Sequence, residues 1–167
     1  ADAVYLGGPQ FGARYSAENF TIEEMKTWVD YCHLYGVDVH VTVNTLVKEK
    51  EIESLKEYLK QLNEIGVDAL IVQDMGAVEI IKKTVPDMTL HASTQMTVTS
   101  LEGVKYLEDM GFSRVVLARE LSEKEIEHIC KNAKAEIEVF VHGAICMCYS
   151  GQCLMSSILG GRSGNRG

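Results

Sequence analysis

The 167 residues contain no apolar run near the roughly 18 residues a membrane-spanning helix needs, and no charged-then-apolar leader opens them. The sequence therefore predicts neither a membrane protein nor a secretory signal. Acidic residues are missing from one region only, because none follows Glu138. The formal net charge of -8 divides accordingly. Residues 1–138 carry 24 acids and 14 bases, a net of -10, and Arg162 and Arg166 give the remainder +2. An acidic body argues against non-specific nucleic-acid binding, which needs phosphate-neutralising Lys and Arg, but leaves room for local anion contact near the C-terminal end. Paired CxxC knuckles are lacking, so a zinc finger or ribbon is poorly supported. No His-Glu-x-x-His helix, nucleophile elbow or phosphate-loop lysine is present either. What remains is 46% hydrophobic, which excludes wholesale disorder and suits one packed domain.

The five cysteines are an odd number, which speaks against a disulfide framework and for a reducing, cytoplasmic setting. Cys32 and Cys130 fall inside amphipathic stretches and are expected to be small buried apolar residues. Cys146, Cys148 and Cys153 lie within eight residues of one another.

Short β-branched runs alternate with longer amphipathic ones. Strands are predicted at 4–6, 37–43, 69–72, 89–91, 114–117 and 136–141, and helices at 22–35, 51–65, 77–84, 100–110 and 123–131. Thr21 with Glu24 and Ser122 with Glu125 form capping boxes, and Gly36, Gly66 and Gly111 stand where helices end on a left-handed residue. Such alternation with short joints means parallel strands with helical crossovers. The loop from Gly7 to Arg14 lacks the glycine spacing of a dinucleotide fingerprint, which weakens an open nucleotide-binding sheet. The expected fold is α/β, an incomplete (βα)8 TIM-like barrel of about six parallel strands and five helices. It is short of a full barrel by about two units and looks cut from a longer protein. Residues 1–141 form the partial barrel, and 142–167 form a Cys-containing loop and tail.

In parallel α/β folds the site lies at the C-terminal ends of the strands. Those ends carry Arg14, Asn44, Asp74, His91 through Gln95, Arg119-Glu120 and His142. His91, Gln95, Arg119, Glu120 and His142 are the catalytic candidates, and Arg14, Asn44 and Asp74 the cofactor-binding ones. Arg119 with Glu120 could equally be an ion pair closing the rim, and His91 a satisfied structural histidine. His33, His40 and His128 read as structural or surface residues. Thiolates suit soft or borderline metals, chiefly zinc or iron–sulfur clusters, and the spacing of Cys146 and Cys153 is wide for a tetrahedral zinc hairpin but acceptable for a cluster held by a wrapping loop. Cys146 with His142 is the nucleophilic alternative, with no third residue to orient it.

The segment from Glu138 to Ser156 resembles the signature of the collagenase-like peptidases, family 32 of the unassigned-mechanism peptidases: Glu-x-Phe-x-x-Gly-(Ser/Ala)-aliphatic-Cys-x4-Gly-x-Cys-x-(aliphatic/Met)-Ser. Glu138, Phe140, Gly143, Ala144, Ile145, Cys146, Gly151, Cys153, Met155 and Ser156 match it position by position. The stretches 1–8, 11–20, 91–95, 117–120 and 160–167 resemble the family too. The resemblance implies one of two activities: a peptidase, or an iron–sulfur protein of oxygen-independent or prephenate-linked hydroxylation of RNA bases or ubiquinone precursors. It makes Cys146 and Cys153 the first two ligands of a 4Fe-4S cluster whose other cysteines follow Gly167. Cys148 lies outside the signature and is not expected to be a ligand. Of the implied roles, an enzyme of tRNA or rRNA base hydroxylation ranks first, a collagenase-like peptidase second, and a non-catalytic partner in a hydroxylation complex third. Contact with RNA through regions outside these residues and a protein partner are both implied.

Overall fold

The computed structural model describes every residue except 15, 16, 144, 145, 147, 162, 166 and 167, and the backbone alone at 156. Six strands, β1 (Ala3–Gly7), β2 (Asp38–Val43), β3 (Ala69–Val72), β4 (Thr89–Ala92), β5 (Arg114–Val116) and β6 (Glu136–Glu138), pair in chain order, each parallel to the next. Helices α1 (Ile22–Leu34), α2 (Ile52–Glu64), α3 (Met75–Thr84), α4 (Leu101–Asp109) and α5 (Glu123–Asn132) make the crossovers. The result is the expected half-barrel.

The strand pleat sorts residues onto two unlike faces. In β2, Val39, Val41 and Val43 are fully buried against the helices, where they meet Met25 and Val29 of α1 and Leu55, Leu59 and Leu62 of α2. His40, Thr42 and the following Asn44 alternate onto the inner face of the curved sheet. Leu90 and Ala92 of β4 likewise point to the helical layer, which sends His91 and Ser93 inward. The outer layer is a continuous apolar core. The inner face is polar and rimmed by the strand ends.

Local chemistry explains the helix boundaries. Thr21 and Ser122 close reciprocal capping boxes with Glu24 and Glu125. Gly36, Gly66 and Gly111 all have positive φ after their helices, a conformation that costs a residue with a Cβ. The structure differs from expectation in three places. A sixth helix, α6 (Met155–Gly160), was not foreseen, because six residues span too little for a periodic signal. Strand β6 stops at Glu138 rather than Val141: the backbone of Leu117 still bonds Glu138, but β5 offers no further partner. Cys130 is exposed rather than buried, since α5 buries Ile129 and the next residue is turned about 100° away. Cys32 is partly buried against the core.

Leu59 is wholly inaccessible at the centre of the outer core. Leu59→Ala should lower the unfolding free energy by about 3 kcal/mol, read as a shift of the urea midpoint with an unchanged slope.

Candidate functional site

The loops that follow the strands build the site. The loop after β1 is tied to the end of β2, where the Asn44 carboxamide oxygen accepts from the Ala13 amide at 3.0 Å and the Thr45 hydroxyl donates to the Phe11 carbonyl at 3.1 Å. Phe11 is buried at a φ of 56° and lies against the Tyr58 ring, with centroids 5.9 Å apart. These contacts hold the exposed Arg14 over the mouth of the half-barrel. After β4, the Ser93 hydroxyl accepts from the Gln95 amide at 3.2 Å and from the Asn44 side chain at 3.4 Å, which joins the ends of β2 and β4 across β3.

The cysteine loop is anchored by a residue the sequence did not single out. Ser150 is 1% exposed. Its amide donates to the Glu120 carboxylate at 2.9 Å, and its hydroxyl lies 3.3 Å from both oxygens of that carboxylate. The Arg119 Nε donates to the same hydroxyl at 3.3 Å, and the Thr97 hydroxyl donates to the Ser150 carbonyl at 2.6 Å. Arg119 and Glu120 therefore meet at Ser150, and among the described residues they form no ion pair with each other. Gly151 follows at a φ of 72°, packed so closely on Gln95 that a Cβ would overlap the Gln95 carbonyl. Its place in the signature thus has a steric reason. The one local signal for Ser150 in the sequence is its position beside that glycine. Its partners are too distant in sequence for spacing to show them.

One cavity of about 790 Å3 is lined by Arg14, Gln95, Arg119, His142, Cys146 and Cys153, among others. Six of the ten sequence candidates thus meet in it. Cys146 has its thiol pKa lowered, first by a hydrogen bond from the Cys148 backbone and then by the Arg119 side chain. Cys148 is shifted the other way by hydrogen bonding to Cys153 and the nearness of both neighbouring sulfurs. His142 is exposed and makes no hydrogen bond to Cys146 among the described residues. Gly164 and Asn165 reach the mouth. The Asn165 side chain pairs with both backbone groups of Leu46, at 2.7 and 2.9 Å, and Asn165 lines the same cavity. Arg162 and Arg166, with Ala144, Ile145 and the Ser156 side chain of the signature, lie outside the described residues.

Asp74 takes another role. One carboxylate oxygen caps α3 through the Ala77 amide and the other receives the Val47 amide, and the residue lines neither cavity. Both of its oxygens are engaged by backbone, which leaves it holding the β2 and β3 loops together. Glu120, too, acts through Ser150 rather than on the cavity wall.

His91 sits one pleat below Ser93, 5% exposed, with its ring edge-on to His40 at 4.5 Å. Its Nδ1 is buried without a hydrogen-bond partner among the described residues. Burial, then the positive charge His40 and Arg114 would bring, lowers its pKa from 6.5 to about 4, against the pull of Glu136. His40 is shifted in the same direction, chiefly by burial. The unfolded chain accepts a proton near 6.5 that native His91 refuses until about 4, so folding stability should fall as pH drops through that window. His91→Leu should remove roughly 3 kcal/mol from the pH dependence of the unfolding free energy between pH 6.5 and 4, read from urea melts across that range.

The model of peptidase family U32 matches residues 1–167. The chain is 47% identical over its full length to 23S rRNA 5-hydroxycytidine C2501 synthase of Escherichia coli, and covers 25% of that protein. It is 39% identical over its full length to tRNA hydroxylation protein P1 of Bacillus subtilis, covering 40% of it. A Methanocaldococcus jannaschii protein named as an uncharacterized protease is 38% identical, with 42% of its length covered. The chain thus spans less than half of the length of these relatives. Among solved structures, a U32 peptidase superposes with a TM-score of 0.71 at 22% identity, over 88% of this chain and 63% of that one. A thiamine phosphate pyrophosphorylase from Pyrococcus furiosus reaches 0.56 at 16% identity, over 87% and 63%; both likenesses speak for the fold alone. With the signature cysteines placed on the rim of a half-barrel and the family model matched from end to end, the chain belongs to peptidase family U32.

Proposed function

We propose that the protein hydroxylates a base of ribosomal or transfer RNA, and that Cys146 and Cys153 supply two of the ligands of an iron–sulfur cluster serving that reaction. The observation that carries the reading is the shared cavity, in which two cysteines and two guanidinium groups, Arg14 and Arg119, meet at the C-terminal ends of the strands. The names of the two bacterial relatives, an rRNA hydroxycytidine synthase and a tRNA hydroxylation protein, point the same way.

The donor set fits such a cluster in kind. Thiolate sulfur is the usual ligand of iron–sulfur centres, and the hydrogen bonds around Cys146 favour the thiolate. Two cysteines are half of a four-thiolate set. When bound, the cluster would supply one-electron redox chemistry. The protein's own groups do the rest. Arg14 and Arg119 give the cavity a positive wall for an anionic cosubstrate, and prephenate, with two carboxylates, suits two guanidinium groups. Ser150 and Glu120 fix the loop that presents the cysteines. The acidic body makes no general RNA-binding surface, so the grip on RNA falls to regions beyond these residues, where a protein partner could also dock. No helix is long and apolar enough to cross a membrane among the described residues, and an RNA substrate places the reaction in the cytoplasm.

The peptidase reading has the family name and one relative's name behind it. A cysteine nucleophile needs a base in hydrogen-bond reach, and His142 makes no such bond to Cys146 among the described residues. Geometry therefore favours hydroxylation over hydrolysis.

The test combines nucleoside mass spectrometry with iron analysis. Cells lacking the protein should lose a hydroxylated pyrimidine from rRNA or tRNA. The wild-type gene should restore it, and Cys146→Ala and Cys153→Ala should not. The full-length protein purified without oxygen should contain iron and sulfide that both variants lack. An iron-free wild-type protein, or full restoration by both variants, would refute the proposal.

A further inference from the structure

A second cavity, of about 510 Å3, opens on the inner face of the sheet beside the first. Arg14, Gln95, Thr94, Tyr5, Ala13 and Phe140 line both, so the two are contiguous. Their charge differs. The cysteine cavity has Arg14 and Arg119 and no carboxylate among its described lining residues. Glu138 and Arg14 are the charged residues among the described lining of the inner cavity. An anion gains from the first, whereas in the second the charges of Arg14 and Glu138 offset each other and Glu138 is already paired with Arg114 at 3.4 Å, which leaves no surplus of either sign. The inner cavity suits an uncharged ligand.

Its polar groups are hydrogen-bonding amides and hydroxyls held in fixed directions. Asn44 is locked by the Ala13 amide and Ser93. The Ser93 hydroxyl already accepts two hydrogen bonds, from Asn44 and from the Gln95 amide, so its own proton is left to donate into the cavity. The Gln95 side-chain amide, partly buried, makes no hydrogen bond among the described residues and offers one donor edge and one acceptor edge. One pleat below Ser93 on the same face, and outside the cavity lining, the buried Nδ1 of His91 has no hydrogen-bond partner among the described residues. Tyr5 and Phe140 are large aromatic side chains more than half exposed where the cavity opens. Exposed rings beside oriented amides are the equipment with which proteins hold an unstacked base: faces to stack on and a polar edge to read it.

We infer that this inner cavity receives the target base itself, a planar uncharged pyrimidine flipped out of its strand, with Gln95 reading its hydrogen-bonding edge, Ser93 donating to a ring carbonyl, and Tyr5 and Phe140 stacking on it. The inference rests on the proposed RNA substrate and adds where the base lies. It also divides the labour of the mouth. The base takes the inner cavity, the anionic cosubstrate the outer one, and Gln95 stands on their shared wall, where the two would meet. Gln95 is then a specificity-determining residue, and its packing against Gly151 couples base reading to the cysteine loop.

The test is photo-crosslinking of the full-length protein to a single-stranded RNA octamer carrying one central 4-thiouridine, with peptide mapping. The crosslinks should fall on Tyr5, Gln95 or Phe140. Gln95→Ala and, independently, the exposed Phe140→Ala should each cut the yield about tenfold, the loss expected for one stacking or edge contact. Tyr106→Ala, on the outside of α4, should leave it unchanged. Crosslinks confined to the outer helices, or yields untouched in both rim variants, would overturn the inference. The outcomes separate from those of the parent proposal. Rim crosslinks without any change in cellular RNA hydroxylation would keep the pocket and refute the reaction. Lost hydroxylation with crosslinks elsewhere would do the reverse.

Discussion

Ser150 is the point on which the site depends. A buried serine between strand ends gathers the Glu120 carboxylate, the Arg119 side chain and, through its carbonyl, the Thr97 hydroxyl. Each bond contributes about 1 kcal/mol by itself. Together they fix the loop that carries the exposed Cys146 and the partly buried Cys148 and Cys153. Through these bonds the loop that carries Cys146 and Cys153 is joined to the residues after β4 and β5. Gly151, next in sequence, closes the same joint by letting backbone meet backbone at Gln95.

The half-barrel sets up this joint by separating two kinds of chemistry. Valines and leucines fill the layer between sheet and helices, where hydrophobic burial stabilises the scaffold at roughly 25 cal/mol per Å2. The inner face instead carries His40, His91, Arg114, Glu136 and Glu138. Arg114 bridges to both glutamates, at 2.6 and 3.4 Å, on partly exposed side chains whose pairing is worth little to stability. Polar residues on an inner face are costly to a fold and useful to a ligand. That contrast, more than any single residue, argues that the inner face is a working surface.

Much of the scaffold was legible because its signals are local. Thr21 with Glu24 and Ser122 with Glu125 are three residues apart, and Gly36, Gly66 and Gly111 follow the helices they end. Strand order followed from alternation and short joints. The site was only half legible. The signature cysteines and the polar strand ends converge as expected, yet Asp74 proved to be a cap: a carboxylate at a strand end looks alike whether it meets a ligand or an amide. Ser150 could not be read, since Glu120 and Thr97 lie 30 and 53 positions away. Asn165, 119 positions from Leu46, was invisible for the same reason. Cys130 was misjudged by a single residue of helical phase.

On the proposed iron–sulfur reading, Glu120, by holding Ser150, positions Cys146 and Cys153 as metal ligands. The most direct test is the iron content of full-length Glu120→Ala purified without oxygen. The account predicts that more than half of the wild-type iron is lost while the thermal midpoint moves by less than about 3 °C, because an exposed carboxylate adds little to the core. Undiminished iron in that variant would contradict it.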